Sequence, residues 1–139
     1  MSGDEGRLLL DSRACIAFLR NKPAGTRDRF GRWPADRAAL SAVVLAELEF
    51  GIALSTHPAK GREGLDLLLQ LAPVEPWTED AARIYGPMRA KLHREGRQIG
   101  PLDMLIAAHA LSLGLTLLTG NIREFEQVPG LQVISLDDA

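Results

Sequence analysis

The chain has 139 residues, 46% hydrophobic and 24% charged, which argues for a folded protein and against disorder. Its length suits a single domain, and no apolar run approaches the roughly 18 residues that a bilayer span needs. Net charge is only −2, a lone cysteine (Cys15) excludes an internal disulfide framework, and the polar, acidic residues 1–6 are unlike a secretory signal, so a reducing cytoplasm is expected.

The first apolar run, Leu8-Leu9-Leu10, ends on the carboxylate of Asp11. Its continuous rather than alternating hydrophobicity predicts a parallel strand covered on both faces. Ser12 offers a helix cap, and residues 14–19 continue with helical character. Residues 23–34 break the pattern around a short helix near 26–30. Here Arg20, Lys22, Arg27, Arg29, Arg32 and Arg37 are set against only Asp28 and Asp36. Residues 38–40 are a weakly marked second strand, and Ser41 can cap a helix over 43–54.

His57 and Pro58 end that helix. Another is expected over 62–71, with Leu65, Leu68, Leu69 and Leu71 as its apolar stripe. Residues 73–77 read as an extended link or an edge strand, because proline cannot donate to an interior ladder. Thr78, Glu79 and Asp80 mark the start of a helix towards Glu95, expected to kink or break at Gly86-Pro87. A second basic segment lies along this stretch, from Arg83 to Arg97: Arg83, Arg89, Lys91, Arg94 and Arg97 against Glu95. Such segments either steer a polyanion or are solvated helix faces.

Gly100-Pro101 starts a helix that is apolar nearly all round and stops at Gly114, which predicts a buried helix with Asp103 in its first turn. A strand over 115–119, a helical turn over 121–127 and a last strand over 131–134 complete the pattern. Strands alternating with helices predict an α/β fold with a central, mostly parallel sheet flanked by helices.

Ligands of such sheets gather beyond the carboxyl ends of the strands. Asp11 ends the first strand, Glu47 lies in the helix after the second, Asp103 opens a helix leading into a later one, and Asn121 and Glu124 follow residues 115–119. This order places five oxygen-bearing side chains near one rim. Two unit charges about 4 Å apart repel by roughly 4 kcal/mol at an effective dielectric near 20, so gathered acids need protons or a cation. All-oxygen ligands favour Mg²⁺ or Mn²⁺ over zinc, for which there is no Cys/His pairing, and basic segments nearby point to phosphodiester chemistry.

Taken singly, each acid has a plainer reading: Asp103 as a dipole partner, Asp11 and Asn121 as turn residues, Glu124 as a surface charge. Glu47 and Glu49 are about 200° apart on their helix, and periodicity does not choose between them. His109, about 240° around from Asp103, is read as a packed or hydrogen-bonded core histidine. Trp33 and Trp77 fall in loops and suit base stacking or an interface.

Leu9-Leu10-Asp11-Ser12, Leu45-Ala46-Glu47-Leu48 before Gly51, the run from Ile99-Gly100-Pro101 through Asp103 to Ala110, and Thr119-Gly120-Asn121 with Arg123-Glu124-Phe125-Glu126 together resemble the PIN domain. More narrowly, they resemble the VapC toxins of bacterial toxin–antitoxin pairs. The likeness spans about residues 8–134 of one domain, 1–139. It implies a PIN-like three-layer α/β/α fold and a Mg²⁺- or Mn²⁺-dependent endoribonuclease that cuts structured RNA, tRNA or rRNA. It also implies a homodimer, alone or within a larger toxin–antitoxin complex, and a cognate VapB-like antitoxin whose tail enters the active-site groove.

Carried over position by position, Asp11, Glu47 and Asp103 match the family's three acids, with Asp11 and Asp103 as expected metal ligands. Asn121 and Glu124 fall where a fourth, more variable group completes the catalytic site. One departure stands out. The family typically has Thr-Asn after its first acid, whereas this chain has Ser12-Arg13. Arg13 can turn outward, hold a substrate phosphate bidentately, or pair with the acids and weaken metal binding. The alternative function is therefore a PIN-like module that binds RNA or antitoxin without efficient cleavage. A phosphatase of another α/β family is disfavoured, since no second acid stands two residues after Asp11.

Overall fold

A computed structural model describes residues 6–139; the acidic start read from residues 1–5 lies outside them. The uniformly apolar run becomes β1 (Leu8–Leu10), all three of its residues buried as a strand covered on both faces requires. β1 is the middle of a five-stranded sheet with β2 (Ala38–Ser41), β3 (Val74–Glu75), β4 (Thr116–Thr119) and β5 (Val133–Ser135), in the order β3-β2-β1-β4-β5. Every neighbouring pair is parallel, with Leu10 opposite Leu40 on one side and Leu118 on the other.

The chain builds outward from β1 through β2 to β3, then crosses back and builds the other way through β4 to β5. The order therefore reverses between β1 and β4, which opens a crevice at their carboxyl ends. Asp11 and Thr119, the residues at those ends, meet there.

Helices α1 (Ser12–Arg20), α2 (Thr26–Gly31), α3 (Ala42–Leu54), α4 (Pro58–Leu71), α5 (Glu79–Arg94), α6 (Pro101–Leu113) and α7 (Ile122–Phe125) flank the sheet, and a 3₁₀ turn follows at Leu136–Asp138. α1 packs on α2, α3 and α4, whereas α5 and α6 pack on each other. α6 buries Met104 and Ile106 through Ala110, as an all-round apolar helix should. No helix among the described residues is long and apolar enough to cross a membrane.

Three sequence expectations need correction. Ser12 does not cap α1; Asp11 does, its Oδ1 accepting from the Ala14 N–H at 2.8 Å. Pro58 opens α4 as its first residue, four positions before the expected start, because proline's missing N–H is free of cost in a first turn. Of the kink or break expected at Gly86-Pro87, the break does not occur: α5 runs on through Pro87. Gly86 lacks the Cβ that would clash with the proline ring, and Pro87 is exposed, so water can serve the carbonyl left without a donor.

Candidate active site

Asp11 is 1% exposed at the reversal of the sheet, and its carboxylate is held from two elements. Besides capping α1, it accepts through Oδ2 from Thr119 Oγ1 at 2.6 Å and from the Gly120 N–H at 3.3 Å. Thr119 Oγ1 in turn accepts from the Asn121 N–H at 2.8 Å, so one hydroxyl links the end of β1 to the turn after β4. Burial pushes the Asp11 pKa above the ordinary 3.8, while the Thr119, Ala14 and Gly120 donors and the Arg13 charge hold it down.

Asp103 enters from the first turn of α6, where Pro101 at the helix start suits an N–H-free position. Its neighbour is Glu124 on α7. A Cβ built on Gly100 would lie 3.5 Å from Asp103 Oδ2 and 3.7 Å from Glu124 Oε1, so both acids crowd the same backbone. Half burial, then the charge and hydrogen bond of Glu124, push the Asp103 pKa up to about 7; Asp11 adds to this and Arg13 opposes it. Glu124 is itself fixed, Oε1 accepting from the Gly100 N–H at 2.9 Å and Oε2 from Asn121 Nδ2 at 3.0 Å. Of the two residues after β4, Glu124 thus faces Asp103 and Asn121 orients Glu124.

Glu47 is separated from Glu49 by partners the sequence could not show. Ser12 Oγ donates to Glu47 Oε1 at 2.9 Å, and Glu47 lines an open cleft of about 370 Å³ with Ser12, Arg13, Gly100, Pro101, Leu102 and Asp103. Glu49 points elsewhere, into an exposed ion pair with Arg62. Sequence reasoning did not single out Thr119 or Gly100 as supports of the site. The signal was present in Thr119-Gly120-Asn121, a hydroxyl residue ending a strand just before a turn.

The donor set fits a hard divalent cation in kind: all oxygen, with like charges crowded enough to push the Asp103 pKa up to about 7. Among the described residues no three His, Cys, Asp or Glu side chains already form a cage.

Other candidates are spent inside the fold. His109 is fully buried, its Nδ1 2.8 Å from Ser41 Oγ. Trp33 stacks on Phe30 with ring centroids 4.1 Å apart, and Trp77 donates to the Leu105 carbonyl at 2.9 Å, so both are anchored intramolecularly. Part of each basic segment is engaged within the chain: Arg27 donates to the Phe18 and Leu19 carbonyls, and the exposed Arg97 to that of Gln127.

Comparison with known proteins gives a consistent picture. The family model described as PIN domain matches residues 8–131. The tRNA(fMet)-specific endonuclease VapC of Shigella flexneri is 38% identical over 126 residues, 91% of this chain and 95% of the relative. The protein of the same name from Salmonella typhimurium is 35% identical over 127 residues, 91% and 96%. Among solved structures, DNA-bound VapBC from Salmonella typhimurium superposes with a TM-score of 0.86 at 35% identity, covering 94% of this chain and 98% of that one. VapBC2 from Rickettsia felis, bound to a promoter DNA fragment, gives 0.83 at 28% identity, covering 92% and 97%.

Proposed function

This chain belongs to the PIN-domain family, and on that premise we propose that it is an endoribonuclease toxin of a type II toxin–antitoxin system, neutralised by a VapB-like antitoxin. One observation carries the reading: Asp103 and Glu124 stand side by side, within electrostatic reach of buried Asp11, where the sheet order reverses. Crowding carboxylates in a half-buried crevice costs stability, and it makes chemical sense as a cation site.

Asp11 and Asp103 would hold Mg²⁺ or Mn²⁺, with Glu47 and Glu124 completing the acidic rim. The ion, when bound, lowers the pKa of a water and offsets the charge that builds on the phosphate. Asp11 cannot swing, because three donors fix it, so it supplies a rigid reference for the rest. Glu124, steered by Asn121 and Gly100, is placed to accept a proton from the attacking water, and Glu47, steered by Ser12, to orient it. In-line attack on phosphorus leaves 5′-phosphate and 3′-hydroxyl ends. The substrate is structured RNA; because the Shigella and Salmonella relatives bear the name tRNA(fMet)-specific endonuclease, initiator tRNA is the first to try. A homodimer is the expected assembly.

The test is cleavage of an initiator tRNA transcript by purified protein with Mn²⁺ or Mg²⁺. Activity is expected to stop in excess EDTA and to fall about a hundredfold or more in Asp11→Asn and in Asp103→Asn. Undiminished cutting by either variant would overturn the site. RNA held tightly but left intact at millimolar Mn²⁺ would favour the non-cleaving binding module instead.

A further inference from the structure

Arg13 lines the acidic cleft, is exposed, and makes no ion pair among the described residues. This is unexpected for a guanidinium whose charge acts on both Asp11 and Asp103. Asp11 takes its donors from Ala14, Thr119 and Gly120, and Asp103 lies against Glu124, so neither acid is tied to the guanidinium.

The stem of Arg13 is constrained as well. A Cβ on Gly120 would stand 2.9 Å from Arg13 Cβ and 3.3 Å from its Cδ, so the first carbons of the side chain lie flat against the Gly120 backbone. Only a glycine allows that approach. A stem held this way loses less rotamer freedom when its head binds something, which is how preorganised groups gain affinity.

We propose that Arg13 is a substrate-binding residue, its guanidinium gripping a backbone phosphate of the RNA at the mouth of the cleft rather than serving as an internal counter-ion for the acids. The inference rests on the ribonuclease reading above. A phosphodiester must approach a cleft rimmed by Glu47 and Asp103, and Arg13 is the cation lining it. A planar fork matches two phosphate oxygens at once, which an ammonium does not.

The experiment measures wild type, Arg13→Ala and Arg13→Lys with a fluorescein-labelled initiator tRNA transcript. Binding is followed by anisotropy in EDTA from about 50 to 300 mM KCl, cleavage by steady-state kinetics with Mn²⁺, and Mn²⁺ binding by calorimetry. Arg13→Ala should weaken RNA binding about tenfold or more and reduce the slope of log K against log salt by about one. Its KM should rise with kcat little changed, and its Mn²⁺ affinity should change only slightly, upward, as the loss of a nearby positive charge dictates. Arg13→Lys should recover the salt slope but only part of the affinity. If wild type cuts RNA while Arg13→Ala binds it as tightly and with the same slope, the assignment fails alone. It also fails if Arg13→Ala binds Mn²⁺ several-fold more tightly and turns over faster, the signature of a counter-ion. A wild type that cuts no RNA under any metal overturns the ribonuclease reading, while the anisotropy series in EDTA still decides whether Arg13 grips the RNA.

Discussion

His109 shows how one side chain can take its whole role from burial. Six residues after Asp103 on the same helix, it points into the core, fully buried with Ser41 Oγ at its Nδ1. Burial pulls its pKa below the ordinary 6.5; the Pro76 carbonyl and the Glu75 charge oppose this without cancelling it. The unfolded chain therefore takes up this proton at a higher pH than the native one does. Where the unfolded state binds more protons, stability rises with pH. The contribution is complete above about 6.5 and drains away as the pH falls through the depressed native value. Urea midpoints should thus drop between pH 7.5 and 5.5 in wild type, and drop less in His109→Asn, whose amide can still meet Ser41. Equal drops would mean that His109 does not titrate differently on folding. That this residue belongs to the core was legible from angular spacing alone, whereas its partner was not: Ser41 is 68 positions away.

The elements meet through the end of β4. Thr119 is fully buried, donates to Asp11 and accepts from Asn121, so β1, α1 and the turn into α7 share one hydroxyl. Thr119→Val keeps the shape and removes that group. It should cost about 1–3 kcal/mol in urea unfolding, since it leaves the Asn121 N–H without its partner and the Asp11 carboxylate with one donor fewer. Single-turnover cleavage should fall further than the stability loss explains, because Asn121 orients Glu124, and Thr119→Ser should restore both. A Thr119→Val protein with wild-type stability and rate would show that the hydroxyl is incidental. At this scale the sequence was most readable where pattern is strong and local: β1 is a continuous apolar run and α6 is apolar nearly all round, each with a clear stop. It was least readable where neighbours compete for one role. Asp11 and Ser12 are adjacent cap formers, and only the strand end at Asp11, extended at ψ 175°, decides between them. Glu47 and Glu49 were separated by Ser12 and Arg62, contacts that span 35 and 13 residues and leave no trace in helical period. Pro87 misled because its effect depends on Gly86 before it and on which side of the helix meets water.

Across the whole molecule, the acids form a knot of like charge that joins β1 to α6 and α7 at the reversal of the sheet. Their mutual repulsion works against the fold, and an ion that binds the native arrangement alone works for it. Linkage sets the size of the gain: at ten times its Kd, such an ion stabilises by about 1.4 kcal/mol, or roughly 4 °C in the thermal midpoint for a chain of this length. Wild type should therefore melt higher in Mg²⁺ or Mn²⁺ than in EDTA, and KCl at matched ionic strength should not reproduce the rise, because screening is not coordination. Asp103→Asn separates the two effects. It removes one charge from the knot while keeping the side-chain shape, so in EDTA it should melt at or above wild type. Having lost a ligand, it should also lose most of the response to the divalent ion. Differential scanning calorimetry of both proteins, with and without the ion, gives four midpoints that decide the matter. If Asp103→Asn melts lower in EDTA and still gains the full increment from Mg²⁺, then Asp103 supports the fold and the ion sits elsewhere. If the order is as expected, the charge that costs the empty protein stability is the same charge that binds the ion, and stability has been exchanged for a site.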